Sequence, residues 1–190
     1  MAYITTNDLK TYRDITGNTD DTLLGVLIAD AQKIIDAYCI RTFEASADAT
    51  RYLDAERDVD GLTLRLDRDL CAITSITNGD GSVLAATDYV TEPRSSTPYW
   101  GIRLLRSSGH VWTYTDDPEN AIKVIGKWAY SATAPADIAW ATLRLAAYLY
   151  NQRANAGDLD RPILANNVTI MPARLPADIR AVLDAYKRRM

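Results

Sequence analysis

The run from Asn18 to Phe43, NTDDTLLGVLIADAQKIIDAYCIRTF, constrains this chain more than any other segment. Leu24, Leu27, Ile28, Ala31, Ile34, Ile35 and Tyr38 recur at three- and four-residue steps, which gathers them on one face of a helix. Asp20 and Asp21 fall in the first turn, where the positive end of the helix dipole favours carboxylates, and Thr19 is placed to cap it. The helix carries no catalytic group, so its content is a packing surface. That points toward assembly rather than an active site.

A second helical segment narrows the choice further. From Ile138 to Tyr150, IAWATLRLAAYLY has Arg144 as its one charge, and a helix apolar on nearly all sides is buried on nearly all sides. It predicts a central helix or one shared with a neighbouring subunit. Pro135-Ala136-Asp137-Ile138 opens it, and Pro176-Ala177-Asp178-Ile179 opens a last helix over Pro176–Arg189, with proline at the first helical position in both. Ile179, Val182, Leu183 and Tyr186 form the apolar side of that last helix, while Lys187, Arg188 and Arg189 complement the negative end of its dipole. At the other end, Thr6 is expected to cap a short helix containing Leu9, Tyr12 and Ile15, which Gly17-Asn18 breaks. A loop is expected from Asn155 to Pro172.

Between the helices the period changes. Leu62, Leu64 and Leu66 alternate with Thr63 and Arg65, the two-residue step of a half-buried strand. Ile73 and Ile76 lead into Asn78-Gly79-Asp80-Gly81 and then Ser82-Val83-Leu84, a hairpin signature. Further strands are expected at Tyr89-Val90, Gly101–Leu105 and Ile122–Tyr130, separated by exposed loops at Glu92–Tyr99 and Ser107–Glu119. The predicted fold is α+β and mainly α: a single domain over 1–190, with a helical core at 1–45 and 134–190 and a small antiparallel β-unit inserted at about 50–130.

Composition removes several functions. The net charge of −4 runs against a general grip on nucleic acid, which needs a basic excess to neutralise phosphates. Cys39 and Cys71 lack paired or metal-like spacing and read as thiols in a reducing cytoplasm. The start MAYITTNDLK has neither the basic residues nor the apolar run of a signal peptide, and no segment is long and apolar enough to span a membrane. The protein is thus expected to be made in a cytoplasm and used there, or in something assembled there.

The candidate chemistry is thin. His110, the sole histidine, lies in a Ser-Ser-Gly-His loop and reads as a surface residue rather than a base; neither a P-loop nor a GxGxxG turn is present. Asp54, Glu56, Asp58, Asp60 and Gly61 resemble a calcium loop, but the first residue is wrong, Asp67 is short for the twelfth position, and a strand follows. A solvated acidic turn is the better account. No cofactor, metal or catalytic residue is assigned. Trp100, Trp112 and Tyr114 read as core or interface aromatics, since only Arg103 and Arg106 come near them and stacking on single strands needs interleaved cations. Tyr186, Lys187, Arg188 and Arg189 are a solvated helix end or a contact for an acidic protein partner. These seven residues are the candidate partner interface.

With these residues in view, the chain resembles the head–tail connector (adaptor) proteins of long-tailed bacteriophages and related prophage elements. The resemblance rests on Tyr3-Ile4-Thr5-Thr6-Asn7-Asp8-Leu9-Lys10 with Asp20-Asp21 and Ile35–Phe43; on Val124–Tyr130 leading into Pro135-Ala136-Asp137-Ile138; and on Leu175-Pro176-Ala177-Asp178-Ile179 with Leu183 and Tyr186. It spans most of the chain, and order and spacing carry it. Where the family frequently has a glycine near the end of the long helix, this chain has Cys39-Ile40. The resemblance implies a non-enzymatic virion protein of the neck, assembled in the host cytoplasm. It implies self-association into a ring, commonly a dodecamer, that binds the portal protein and a stopper or tail-terminator protein. Genomic DNA would pass through the channel without specific binding, and no membrane is involved. The competing readings are a small DNA-binding packaging subunit and a calcium-binding module.

Overall fold

The computed structural model describes residues 2–45, 47–154, 163–165, 168–170 and 175–188. The chain divides into two compact units: Arg41–Ala134, together with Met1, and Ala2–Ile40 with Pro135–Met190. The first is built of strands and the second mainly of helices.

The helical unit contains α1 (Thr6–Arg13), α2 (Asp21–Cys39), α3 (Ala136–Ala154) and α4 (Ala177–Asp184). α1 is capped one residue earlier than expected, by Thr5. The reason is local: counted from Thr5, the third helical residue is Asp8, whose carboxylate accepts from the Thr5 N–H at 2.7 Å while the Thr5 hydroxyl accepts from the Asp8 N–H at 3.1 Å. Counted from Thr6 that residue is Leu9, which can return no bond. α2 likewise departs from the expected Thr19 cap. Asp20 takes the position without a side-chain cap bond, because its carboxylate accepts from the Tyr150 hydroxyl of α3 at 2.8 Å.

α2 buries Leu24, Ile28, Ala31, Ile35 and Cys39, so the apolar face turns slightly from the predicted one. Leu27 and Tyr38 are half-buried, and Ile34 lies at the solvent edge. The helix stops at Ile40, which adopts the left-handed conformation at φ 55° and donates its N–H to the Asp36 carbonyl. That is the conformation glycine takes freely and a β-branched residue does not. α3 is the central helix of its unit and packs against α1, α2 and α4. Ile138, Ala141, Leu145 and Ala146 are fully buried, and the buried Thr142 hydroxyl donates to the Ile138 carbonyl at 2.8 Å. Each large side chain so buried contributes about 1.5–3 kcal/mol.

Three expectations for this unit need correction. Pro135 and Pro176 precede their helices, and their carbonyls accept the first helical bonds from Ala139 (2.9 Å) and Arg180 (3.0 Å). α4 ends at Asp184 instead of Arg189: the Ala185 and Tyr186 N–H groups turn back onto the Val182 and Leu183 carbonyls, and the Arg188 N–H donates to the Cys39 carbonyl of α2. Within the expected loop after α3, strands β9 (Ile163–Ala165) and β10 (Val168–Ile170) pair antiparallel. The predicted stop at Asn155–Asp158 lies outside the described residues.

The β-unit holds β1 (Ala49–Leu53), β2 (Val59–Asp60), β3 (Thr63–Leu70), β4 (Ala72–Thr77), β5 (Val83–Leu84), β6 (Tyr89–Glu92), β7 (Tyr99–Leu104) and β8 (Ile122–Lys127). They form two four-stranded antiparallel sheets, ordered β1-β8-β4-β5 and β2-β3-β7-β6. One core cluster draws Leu53, Ile76, Ile122 and Val124 from the first sheet and Leu64, Leu66, Ile102 and Leu104 from the second. The chain passes from β3 to β4 through Cys71, whose N–H donates to the Lys127 carbonyl at 2.9 Å. At this crossing Gly126 leaves no room for a Cβ, which would run into the Ala72 carbonyl.

The segments that enter and leave the β-unit are clipped to each other. Tyr130 N–H donates to the Thr42 carbonyl at 2.8 Å, and the Phe43 and Tyr130 ring centroids are 5.7 Å apart. Arg41 lies 5.3 Å over the Tyr130 ring and 3.6 Å from the Asp69 carboxylate. This use of Tyr130 explains why the last strand ends at Lys127 and not where its apolar run ends.

Candidate assembly surfaces

The C-terminal candidates are tied into the helical unit. Tyr186 occupies the turn after α4, and its hydroxyl donates to Asp137 Oδ2 at 2.7 Å, in the first turn of α3. Lys187 Nζ lies 4.0 Å from the Tyr38 ring centroid and 3.0 Å from Asp184 Oδ1. The Tyr38 hydroxyl donates to that same oxygen at 2.6 Å. Arg188 N–H donates to the Cys39 carbonyl at 3.1 Å, so it caps α2 rather than extending α4. Hydrogen bonds from Tyr38 and then Lys187 hold the Asp184 carboxyl below its usual range; Tyr38 and Asp184 hold Lys187 above its own. The groups are exposed, so the cluster fixes position and adds little stability. Arg189 lies outside the described residues.

The β-unit candidates separate. Trp112 is buried in the core, and its indole N–H donates to the Leu62 carbonyl at 2.9 Å. The loop that carries it is therefore only partly exposed, which corrects the expectation for Ser107–Glu119. Asn78, itself buried, pins that loop: its amide donates to the Val111 carbonyl at 2.9 Å, and its side-chain oxygen accepts from the Thr113 and Gly79 N–H groups. Tyr114 stays exposed and donates its hydroxyl to Glu56 Oε1 at 2.8 Å, a contact that raises the phenol's pKa. Trp100 stands half exposed at the start of β7, where the β3–β7 register shifts.

Other exposed apolar side chains escaped sequence reasoning. Val26 and Ile34 stand on the outer side of α2, Trp140 on α3, and Tyr52 and Val83 on the first sheet. The signal for Val26 was its position opposite Leu24 and Ile28 on the helical wheel. For Tyr52 and Val83 no local signal exists, because their strands are defined by distant partners. Trp140 is stacked under Arg144 at 5.3 Å, and that guanidinium pairs with Asp178 of α4 at 2.6 Å.

The remaining candidate chemistry resolves into structure. Asp58 Oδ2 accepts from the Asp54 N–H at 2.9 Å, Asp54 Oδ1 accepts from the Asn120 N–H at 2.9 Å, Arg57 pairs with both carboxylates, and Asp60 pairs with Arg65. The run thus shapes two loops. Among the described residues no group of three or more His, Cys, Asp or Glu side chains could hold a metal ion. His110 Nε2 lies 3.6 Å from Asp88 Oδ2. Cys39 and Cys71 are thiols not joined in a disulfide; the buried Cys39 donates its S–H to the Leu183 carbonyl at 3.6 Å, and burial raises the pKa of Cys71. No helix among the described residues is long and apolar enough to cross a membrane.

Several solved structures that share this fold come from gene transfer agent particles. The chain matches one from the neck of an empty gene transfer agent particle computed with C6 symmetry, at TM-score 0.61 and 13% identity, over 99% of this chain and 91% of that one. A match to the neck of the native particle computed with C12 symmetry has TM-score 0.58 and 16% identity, over 97% and 91%. One to the virion of the native particle has TM-score 0.57 and 16% identity, over 99% and 91%. No curated protein sequence matches the chain. The model of the head completion protein family matches residues 2–189, and the chain belongs to that family.

Proposed function

We propose that this protein is a non-enzymatic structural subunit of the neck of a phage-like particle, where copies form a ring between the head and the tail. The family match along residues 2–189 carries this reading. The shared fold with neck subunits, whose particles were computed with C6 and C12 symmetry, supports a ring. In this reading the portal protein lies on the head side and a stopper or tail-terminator protein on the other, and DNA passes through the centre. A net charge of −4 suits a duct that must not hold the DNA it conducts. The helical unit is the scaffold of the subunit. Trp100, Tyr114 and the Tyr186–Arg188 segment supply contact surface, with Trp112 holding its loop from beneath.

The test is association with portal. Mixed with portal rings, the full chain is expected to bind in multiple copies, seen as a large rise in mass by light scattering. A chain that remains monomeric both alone and with portal contradicts the proposal.

A further inference from the structure

The outward face of the first sheet carries an unusual set of side chains. Strand register aligns Val83, Thr77, Lys123 and Tyr52 in one row across all four strands. The next row is Ser75, Ile125 and Thr50, and Lys127 follows beside Ala72. These positions alternate with Ile76, Ile122 and Val124, which fill the core, so they point away from it. Tyr52 is 56% exposed and Val83 69%. Neither of the first two rows contains a carboxylate; the one acid at this edge of the face, exposed Asp48 just before β1, accepts a hydrogen bond from the Thr74 hydroxyl of β4. Among the described residues Lys123 and Lys127 have no ion-pair partner, nor do Arg68, Arg103 and Arg106 of the same unit, whereas Arg41, Arg51, Arg57, Arg65 and Arg94 are paired.

The same chain offers the opposite sign elsewhere. Past the Leu53 end of β1 and the Ile122 end of β8, off the sheet face, two loops are tied together. The Ala55 N–H donates to the Pro118 carbonyl at 2.8 Å, and Tyr114 bonds Glu56. They present Glu56, Asp116, Asp117 and Glu119, all exposed. The last three have no ion-pair partner among the described residues. Exposed Val111 and Tyr114 add apolar surface beside these acids.

We infer that the outward face of the β1-β8-β4-β5 sheet docks onto the acidic loop end of a second copy of this chain. The inference rests on the ring reading above, because head-to-tail rings need two different, complementary patches on each subunit. Pairing this face with itself would set lysine against lysine, which disfavours a two-fold dimer through the sheet. Tyr52, Val83 and Ile125 supply the apolar contact. Lys123 and Lys127 meet Asp116, Asp117 and Glu119 of the neighbour, and charge complementarity fixes orientation and suppresses wrong pairings.

The test uses full-length chain and portal rings, with ring formation read by native mass spectrometry and folding by circular dichroism. Wild type forms the ring. K123E/K127E and, separately, D116K/D117K/E119K each raise the concentration for half-assembly at least tenfold while melting as wild type does. The five-fold charge-swapped chain restores assembly, and K123R assembles normally. If wild type forms rings and K123E/K127E forms them equally well, the docking inference is overturned and the ring reading stands. Rings of K123E/K127E that form but fail to hold portal overturn it too, and assign the face to portal. Wild type that never assembles overturns the ring reading itself.

Discussion

The two units of this protein reach stability by different routes. The helical unit assembles from segments that each carry their own instructions: a capping box at Thr5 and Asp8, acidic residues in first turns, and apolar residues at helical spacing. Its tertiary ties, such as Tyr38 and Lys187 on Asp184 and Tyr150 on Asp20, are side-chain clips added at the ends. The β-unit instead depends on pairings between distant residues. β8 is the second strand of its sheet and joins β1 to β4 across long stretches of chain, while a buried Asn78 and Trp112 close the loops over the core. A helix tolerates local change because its partners lie a few residues away. A two-sheet core does not, because one misfit displaces strands from both sheets.

This contrast can be broken most directly at Gly126. Gly126→Val is expected to cost about 3 kcal/mol or more, since the side chain must displace the Ala72 backbone where the chain changes sheets. Amide hydrogen exchange should then rise across β1, β4 and β8 first. Equal loss of protection in α2 and α3 would sink the idea that the two units carry their own stability. In the helical unit, Leu145→Ala should cost about 2–5 kcal/mol, because Leu145 is fully buried on the central helix. Here exchange is expected to rise in α1, α2 and α4, the helices against which α3 packs. A cost below about 1 kcal/mol would mean the bundle can close around the gap.

Smaller effects sharpen the local side of the comparison. Thr5→Ala is expected to cost about 1 kcal/mol in chemical denaturation, since it removes one half of the capping box. The Thr5 backbone and hydroxyl bonds lower the pKa of Asp8, so its contribution is present above the ordinary carboxylate range and is lost as the pH falls through the lowered value. The gap between Asp8→Ala and wild type should therefore shrink in acid. A gap that widens in acid would contradict the sign. Ile40→Gly is expected to stabilise by about 0.5–1 kcal/mol, because relief of the left-handed strain exceeds glycine's added entropy cost. A drop in melting temperature on this substitution would show that the Ile40 side chain matters more than its backbone.

The same contrast explains what was legible in the sequence. Leu24, Ile28, Ala31 and Ile35 announce their helix by spacing alone, and Leu64 and Leu66 announce a strand by alternation. Arg51 and Val59 sit in strands that have no such pattern, since β1 and β2 exist through their pairing with β8 and β3. Trp112 reads as a core or interface aromatic, but that its loop lies over the core is hidden because its hydrogen-bond partner, Leu62, lies 50 residues earlier. The end of α4 was misread for a related reason. Lys187 and Arg188 suit a helix terminus by charge, but Tyr38 and the Cys39 carbonyl take them instead. Of the candidate surfaces, Trp100 and Tyr114 are exposed, as an interface role needs. The lysine-bearing sheet face became visible only once register set Tyr52 beside Lys123 and Thr77 beside Val83.

Direct imaging is the sharpest test of whether this chain is a ring-forming structural subunit. Electron microscopy of portal vertices incubated with the purified full-length chain should reveal an added ring on the portal, with subunit density that fits both units and an open centre. Portal vertices that stay bare at saturating protein, or that bind single copies with no closed ring, would contradict the account.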